Sequence, residues 1–238
     1  VGDLGGRAES HFRIVPAPPG RNPGSRVTAM ARHLIFLAAL LVPALHASQP
    51  LPMNDGERLT YRVSWAIVPG AGEIKLEAQR VASPDGPRLV VSQSTATRGL
   101  AKMLLRFEAQ ATSTFDVKTG QLLTLHEKST TRNKRADHSV RFDHSARIAH
   151  YLKPPAAEPR PLIIPAGDPT DLMMGLLQTR TWDLKPGEKR DALILFDDDF
   201  YELSIHMLRY EDVNTPFGTF RTMVLEPRME TSDRRLDP

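Results

Sequence analysis

From Arg58 onward the chain alternates apolar and polar residues with a period of two. Leu59, Tyr61, Val63 and Trp65 alternate with Arg58, Thr60, Arg62 and Ser64, the pattern of a strand with one buried face. After Pro69-Gly70-Ala71-Gly72, which predicts a turn, Ile74, Leu76 and Ala78 alternate with Glu73, Lys75, Glu77 and Gln79. Pro84-Asp85-Gly86-Pro87 predicts another turn, and Leu89 to Ser94 a third strand. The segment LAKMLLRF, from Leu100 to Phe107, breaks the alternation and predicts a short helical or irregular piece. Phe107 to Asp116 and Leu122 to Thr131 then pair across Lys118-Thr119-Gly120. Ser139 to Asp143 and Ala146 to Leu152 predict a polar hairpin around His144.

Six prolines between 153 and 169 predict an extended loop. The one clear helix follows, with Asp168 as cap, Pro169 at the first helical position and Leu172, Met173, Leu176 and Leu177 as the apolar stripe. Ala192 to Phe196 and Tyr201 to Leu208 predict a hairpin across Asp197-Asp198-Asp199, and Thr219 to Leu225 a last strand. The sum is about nine or ten strands and one or two short helices, a mostly β domain in the all-β to α+β range. A folded part of about 180 residues buries roughly 70% of its unfolded surface, enough for one core.

The segment before this domain has a different character. Residues 30–47, MARHLIFLAALLVPALHA, carry Arg32 and His33 ahead of an apolar run from Leu34 to Leu45. That is the layout of a secretory signal peptide, with cleavage expected between Ala47 and Ser48. An uncleaved anchor or a buried helix fits less well, because a bilayer of about 30 Å takes roughly 20 apolar residues to cross. Residues 1–29, rich in Gly, Pro and Arg, show no hydrophobic period and are expected to be disordered, an over-extended start ahead of the leader. Residues 48–57 make a linker, 58–228 a single β-rich domain, and 229–238 a charged end.

The leader changes the meaning of the charge. Of 31 basic and 28 acidic residues, five arginines and two acids lie in residues 1–47, which leaves 26 of each in the remainder. A neutral domain gives no argument for an anionic partner, and an exported one does not meet nucleic acid. The chain has no cysteine, which excludes disulfides, thiol nucleophiles and Cys-ligated zinc.

GERLTYRVSWAIVPGAGEIKLE, then DPTDLMMGLLQTRTWDLKPGE, then TPFGTFRTMVLEP occur in this order, and the layout covers most of residues 54–226. In their order and spacing they resemble the domain-of-unknown-function 3108 family of exported bacterial proteins. The resemblance implies a curved antiparallel sheet or open β-barrel in the cell envelope and no established activity, so it assigns no catalytic residue. Members of that family continue past the Gly-Thr-Phe strand with a further pair of strands, whereas METSDRRLDP follows here. Residues 229–238 therefore read as a truncated or frame-shifted end that leaves a sheet edge unpaired.

No catalytic constellation stands out. His138, His144 and His150 are evenly spaced, but two fall on opposite arms of a hairpin and one in its turn, so no zinc is assigned. Asp197 to Asp199 are ordinary turn residues rather than a calcium loop. There is no G-x-S-x-G elbow and no S-x-x-K pair, and no cofactor is implied. The aromatic residues Tyr61, Trp65, Phe115, Tyr201 and Phe220 fall on inward-facing strand positions. They pack a solid core or line a cavity for an apolar ligand. The sequence leaves enzymatic activity open and favours a non-enzymatic periplasmic protein, soluble after cleavage and without a transmembrane span in the mature chain. Its expected partner is a lipid-like or other apolar molecule, or an envelope protein. The alternatives are a hydrolase of an envelope polymer using unidentified carboxylates, and a structural domain pairing through a sheet edge.

Overall fold

The computed structural model describes residues 12–14, 50–65 and 68–229. The leader at 30–47, the Ala47–Ser48 junction, most of residues 1–29 and the end from 230 lie outside the described residues. In chain order the strands are β1 (Phe12–Ile14), β2 (Arg58–Trp65), β3 (Val68–Val81), β4 (Arg88–Thr97), β5 (Phe107–Asp116), β6 (Leu122–Thr131) and β7 (Arg135–Asp143). They continue with β8 (Ile148–Leu152), β9 (Arg160–Ile163), β10 (Pro169–Thr170), β11 (Lys189–Phe196), β12 (Asp199–Thr215) and β13 (Gly218–Met229). Helix α1 (Gly99–Leu104) lies between β4 and β5, and α2 (Leu172–Gln178) runs into a 3-10 turn, Thr179–Thr181.

The strands form two open sheets. One has eight strands in sequence order from β2 to β9; the other has five, in the order β1-β13-β12-β11-β10. Every pairing is antiparallel except the short parallel contact of β10 with β11. The expected mostly β fold with two short helices is thus the observed one, as two sheets that do not close into a barrel. No helix among the described residues is long and apolar enough to cross a membrane.

Two cores follow from this layering. In the first, Leu76, Ala78, Leu89, Val91, Phe115, Leu125 and Val140 of the large sheet pack against Met174 and Leu177 of α2 and Leu193, Leu195 and Phe200 of the small sheet. In the second, Ile194, Leu203, Ile205, Met207 and Leu225 pack against Leu184, with Leu176 and Trp182 alongside. Helix α2 therefore serves both cores from different faces. It can lie so close because residue 175 is glycine: a Cβ there would meet Ile194 Cδ1 at 2.6 Å.

Three local expectations are corrected. The cap of α2 is Asp171, whose side chain accepts a hydrogen bond from Met174 N at 2.9 Å. Asp168 and Pro169 lie upstream because Pro169 and Thr170 pair with Leu193 and Ile194, which holds the chain extended until Asp171. The helix consequently starts later, and its buried residues are Met174, Gly175 and Leu177, while Leu172 is 39% exposed. The proline-rich stretch contains the edge strand β9, where Pro161 is tolerated because one side of the strand has no partner to supply. The strand β3 begins at Val68 and runs through the Pro69–Gly72 segment expected to turn, because Trp65 already pairs with Val68.

Candidate functional site

The inward face of the large sheet is a ladder of side chains aligned across consecutive strands. One row runs Ala78, Val91, Ser113, Leu125, Val140, Tyr151. Every member is buried, at 5% exposure or less, beneath α2 and the small sheet. The next row is Leu59, Leu76, Gln93, Ala111, Glu127, His138. The third is Tyr61, Ile74, Thr95, Ala109, Ser129, Ala136. In these last two rows only Leu76 and His138 are fully buried; the others are half-buried. The strands continue where their cover stops.

The uncovered length forms a groove of about 380 Å³. Its floor is made of small side chains, Ala109, Ala111, Ser129 and Ala136, which leave depth on a surface where Leu or Val would fill it. Phe107 stands at one end. At the other, Phe196, 60% exposed, stands with Lys153, His138 and Asp197. Gln93 and Glu127 flank Ala111 in the middle, so the groove combines an apolar floor with polar sides and a polar end.

The polar end is built by contact between the sheets. Asp197 occupies the two-residue turn from β11 to β12 with φ of 52°, a left-handed conformation that Asp tolerates. Tyr151 Oη donates to Asp197 Oδ1 at 2.5 Å, and Lys153 Nζ donates to both carboxylate oxygens at 3.1 and 3.2 Å. Asp198 pairs with Arg160 of β9. The acids expected to be plain turn chemistry therefore latch the small sheet onto β8 and β9. The Tyr151 bond and the Lys153 ammonium hold the Asp197 carboxyl below the usual range against the opposing effect of burial. Burial, then the bond to Asp197, push the Tyr151 hydroxyl up.

His138 is 7% exposed and tilted against the Tyr151 ring, 5.3 Å between centroids. Its Nε2 lies 3.2 Å from Glu127 Oε2, an ion-pair distance, yet it makes no hydrogen bond of acceptable geometry with any side chain. That nitrogen is itself buried, with the Glu127 carboxylate as its near polar neighbour. Behind the groove, at the edge of the cover, Asp171 is fully buried. Ser113 Oγ donates to its Oδ2 at 2.7 Å. Burial pushes this carboxyl up, opposed by the Met174 N–H and Ser113 bonds.

The aromatic residues singled out by pattern are not brought together. Tyr61 stands in the third row, on the same face as the groove floor. Phe115, 1% exposed, is central to the first core. Trp65 ends β2, opposite Val68. Tyr201 belongs to the small sheet, in edge contact with Phe196. Phe220 lies on the β12–β13 hairpin at 37% exposure, opposite Val213. The three evenly spaced histidines also separate: His144 bonds Leu122 O at 2.6 Å, and His150, next to Tyr151 on β8, points to the opposite face from it. The groove residues themselves carry little sequence signal, since Ala109, Ala111 and Ala136 are ordinary strand residues. The one legible cue was the run of small and hydroxyl side chains at every second position of β5, where leucine or valine would be expected in a core.

An open two-sheet β protein with a half-covered inner face is the class that this fold and site define. A family model described as protein of unknown function (DUF3108) matches residues 60–236, and the chain belongs to that family. Searches of the curated proteins and of the solved structures return no match.

Proposed function

We propose that this chain is an exported, non-enzymatic binding module that holds a lipid-like or other apolar ligand in the groove on the large sheet. The observation that carries the reading is the open stretch of the inner face where Ala109, Ala111, Ser129 and Ala136 leave depth between half-buried neighbours. A face packed as core would carry branched aliphatic side chains at these four positions. Ala109, Ala111 and Phe107 would contact the apolar body, with Tyr61 further along the same row and Phe196 closing the side. His138 and Lys153 would meet the polar end. The leader expected at residues 30–47 supports a periplasmic location for this work.

The test is native mass spectrometry of the chain, expressed with its leader and recovered from the periplasm without detergent, followed by solvent extraction. A stoichiometric apolar adduct is expected. A clean apo mass, with no uptake of fatty acid or phospholipid offered in excess, would refute the reading.

A further inference from the structure

Helix α1 and the residue after it expose three large apolar side chains in succession: Met103 at 72%, Leu104 at 73% and Leu105 at 54%. Around them stand Lys102 and Arg106 from the same segment, and Arg132, Lys134 and Arg135 from the β6–β7 turn, all exposed. Met103 and the five cations share one depression, which no acidic residue lines, and Leu104 and Leu105 follow Met103 directly in the chain. Arg132 Nη2 donates to Met103 O at 3.1 Å and so ties the β6–β7 turn to the helix. The nearest carboxylate is Glu108, 3.5 Å from Lys102 and 3.7 Å from Arg106. Five cations against one acid is a strong local excess in a domain whose total charge is balanced.

We propose that this corner docks on an anionic lipid surface, with Met103, Leu104 and Leu105 entering the headgroup boundary and the five cations resting on lipid phosphates. Consecutive exposed aliphatic residues ringed by Lys and Arg are the composition of an interfacial anchor, which combines apolar burial with attraction to anionic headgroups. A soluble polyanion would use the cations and leave the three apolar side chains in water, so lipid accounts for both halves of the patch. The position adds to this. Arg106 and Arg135 directly adjoin Phe107 and Ala136, which line the groove, so a docked molecule presents one end of the groove to the bilayer. Docking goes beyond the proposed ligand binding and does not depend on it.

The experiment is co-sedimentation of the periplasmic chain with vesicles of phosphatidylcholine alone and of phosphatidylcholine mixed with phosphatidylglycerol. Binding to the mixed vesicles should be about tenfold stronger or more, and should weaken as salt is added. The charge reversal K134E/R135E should remove the preference for the mixed vesicles. The pair L104S/L105S should lower binding to them about tenfold, since both residues are largely exposed and neither supports the core. F217S, at the 92% exposed tip of the β12–β13 hairpin, should change nothing. Equal binding to both vesicle types, or binding that survives both double variants, overturns the proposal. Retention on heparin with no vesicle binding also overturns it and assigns the cations to a soluble polyanion.

Discussion

Asp171 joins three parts of the molecule, and its replacement can be worked through. Its carboxylate caps α2 through Met174 N and receives the Ser113 hydroxyl from the large sheet, with 6% of the residue exposed. Replacement by alanine removes a cap worth about 1 kcal/mol. It also strands the buried Ser113 hydroxyl, at about 1–3 kcal/mol. Asp171→Ala should therefore lose about 2–4 kcal/mol under acidic conditions, where the native carboxyl is neutral and its removal relieves no buried charge. Asparagine keeps the cap acceptor and can donate its amide to Ser113, so Asp171→Asn should lose less. The pH dependence separates the two roles. Because burial raises the folded pKa, the native state holds a proton that the unfolded state has released once pH passes the ordinary carboxyl value near 3.9. The contribution is full below that value and is lost as pH rises through the raised folded value. Urea unfolding of both proteins from pH 4 to pH 8 should show the wild type falling relative to Asp171→Asn. A constant difference across that range, or a wild type that gains, would refute the assignment of a buried, protonation-favouring site.

Three further outcomes are expected. Gly175→Ala drives a methyl into Ile194 Cδ1 and should cost about 1–3 kcal/mol in urea unfolding, unusual for glycine to alanine inside a helix. Phe115→Ala should cost about 3–5 kcal/mol, whereas Phe220→Ala, on the exposed hairpin, should stay within about 0.5 kcal/mol; calorimetry of both checks the division between core and surface. N-terminal sequencing of the protein recovered from a periplasmic extract should begin at Ser48, and a start upstream of Met30 would contradict the leader.

Much of the fold was legible because its strands keep one face buried, and burial of one face imposes period two. Leu76 and Phe115 could be assigned inward from pattern alone, and both are buried. What pattern does not carry is the partner of each face. Tyr61 and Phe115 lie on the same face of one sheet, yet Phe115 is central to the first core and Tyr61 is half-buried at its margin. Tyr201 and Phe220 keep the same alternation on a different sheet. The start of α2 was misplaced because Asp168 and Asp171 are equally good caps locally, and the choice is made by pairing of Pro169 with Leu193, a contact over 24 residues of chain. The latch of Asp197 to Tyr151 likewise depends on two hairpins meeting. The groove was hidden for a related reason: alanine at 109 and 111 has the same hydropathy whether it is covered or left open.

The central claim is that the uncovered rows hold an apolar molecule, and filling them is its most direct test. Ala111→Phe places a ring over the floor at a half-buried position, where the fold has room for it. Native mass spectrometry of the two periplasmic proteins should show an apolar adduct on the wild type and its loss from Ala111→Phe, with both equally folded. An adduct retained in full by the variant would place the ligand elsewhere and contradict the account.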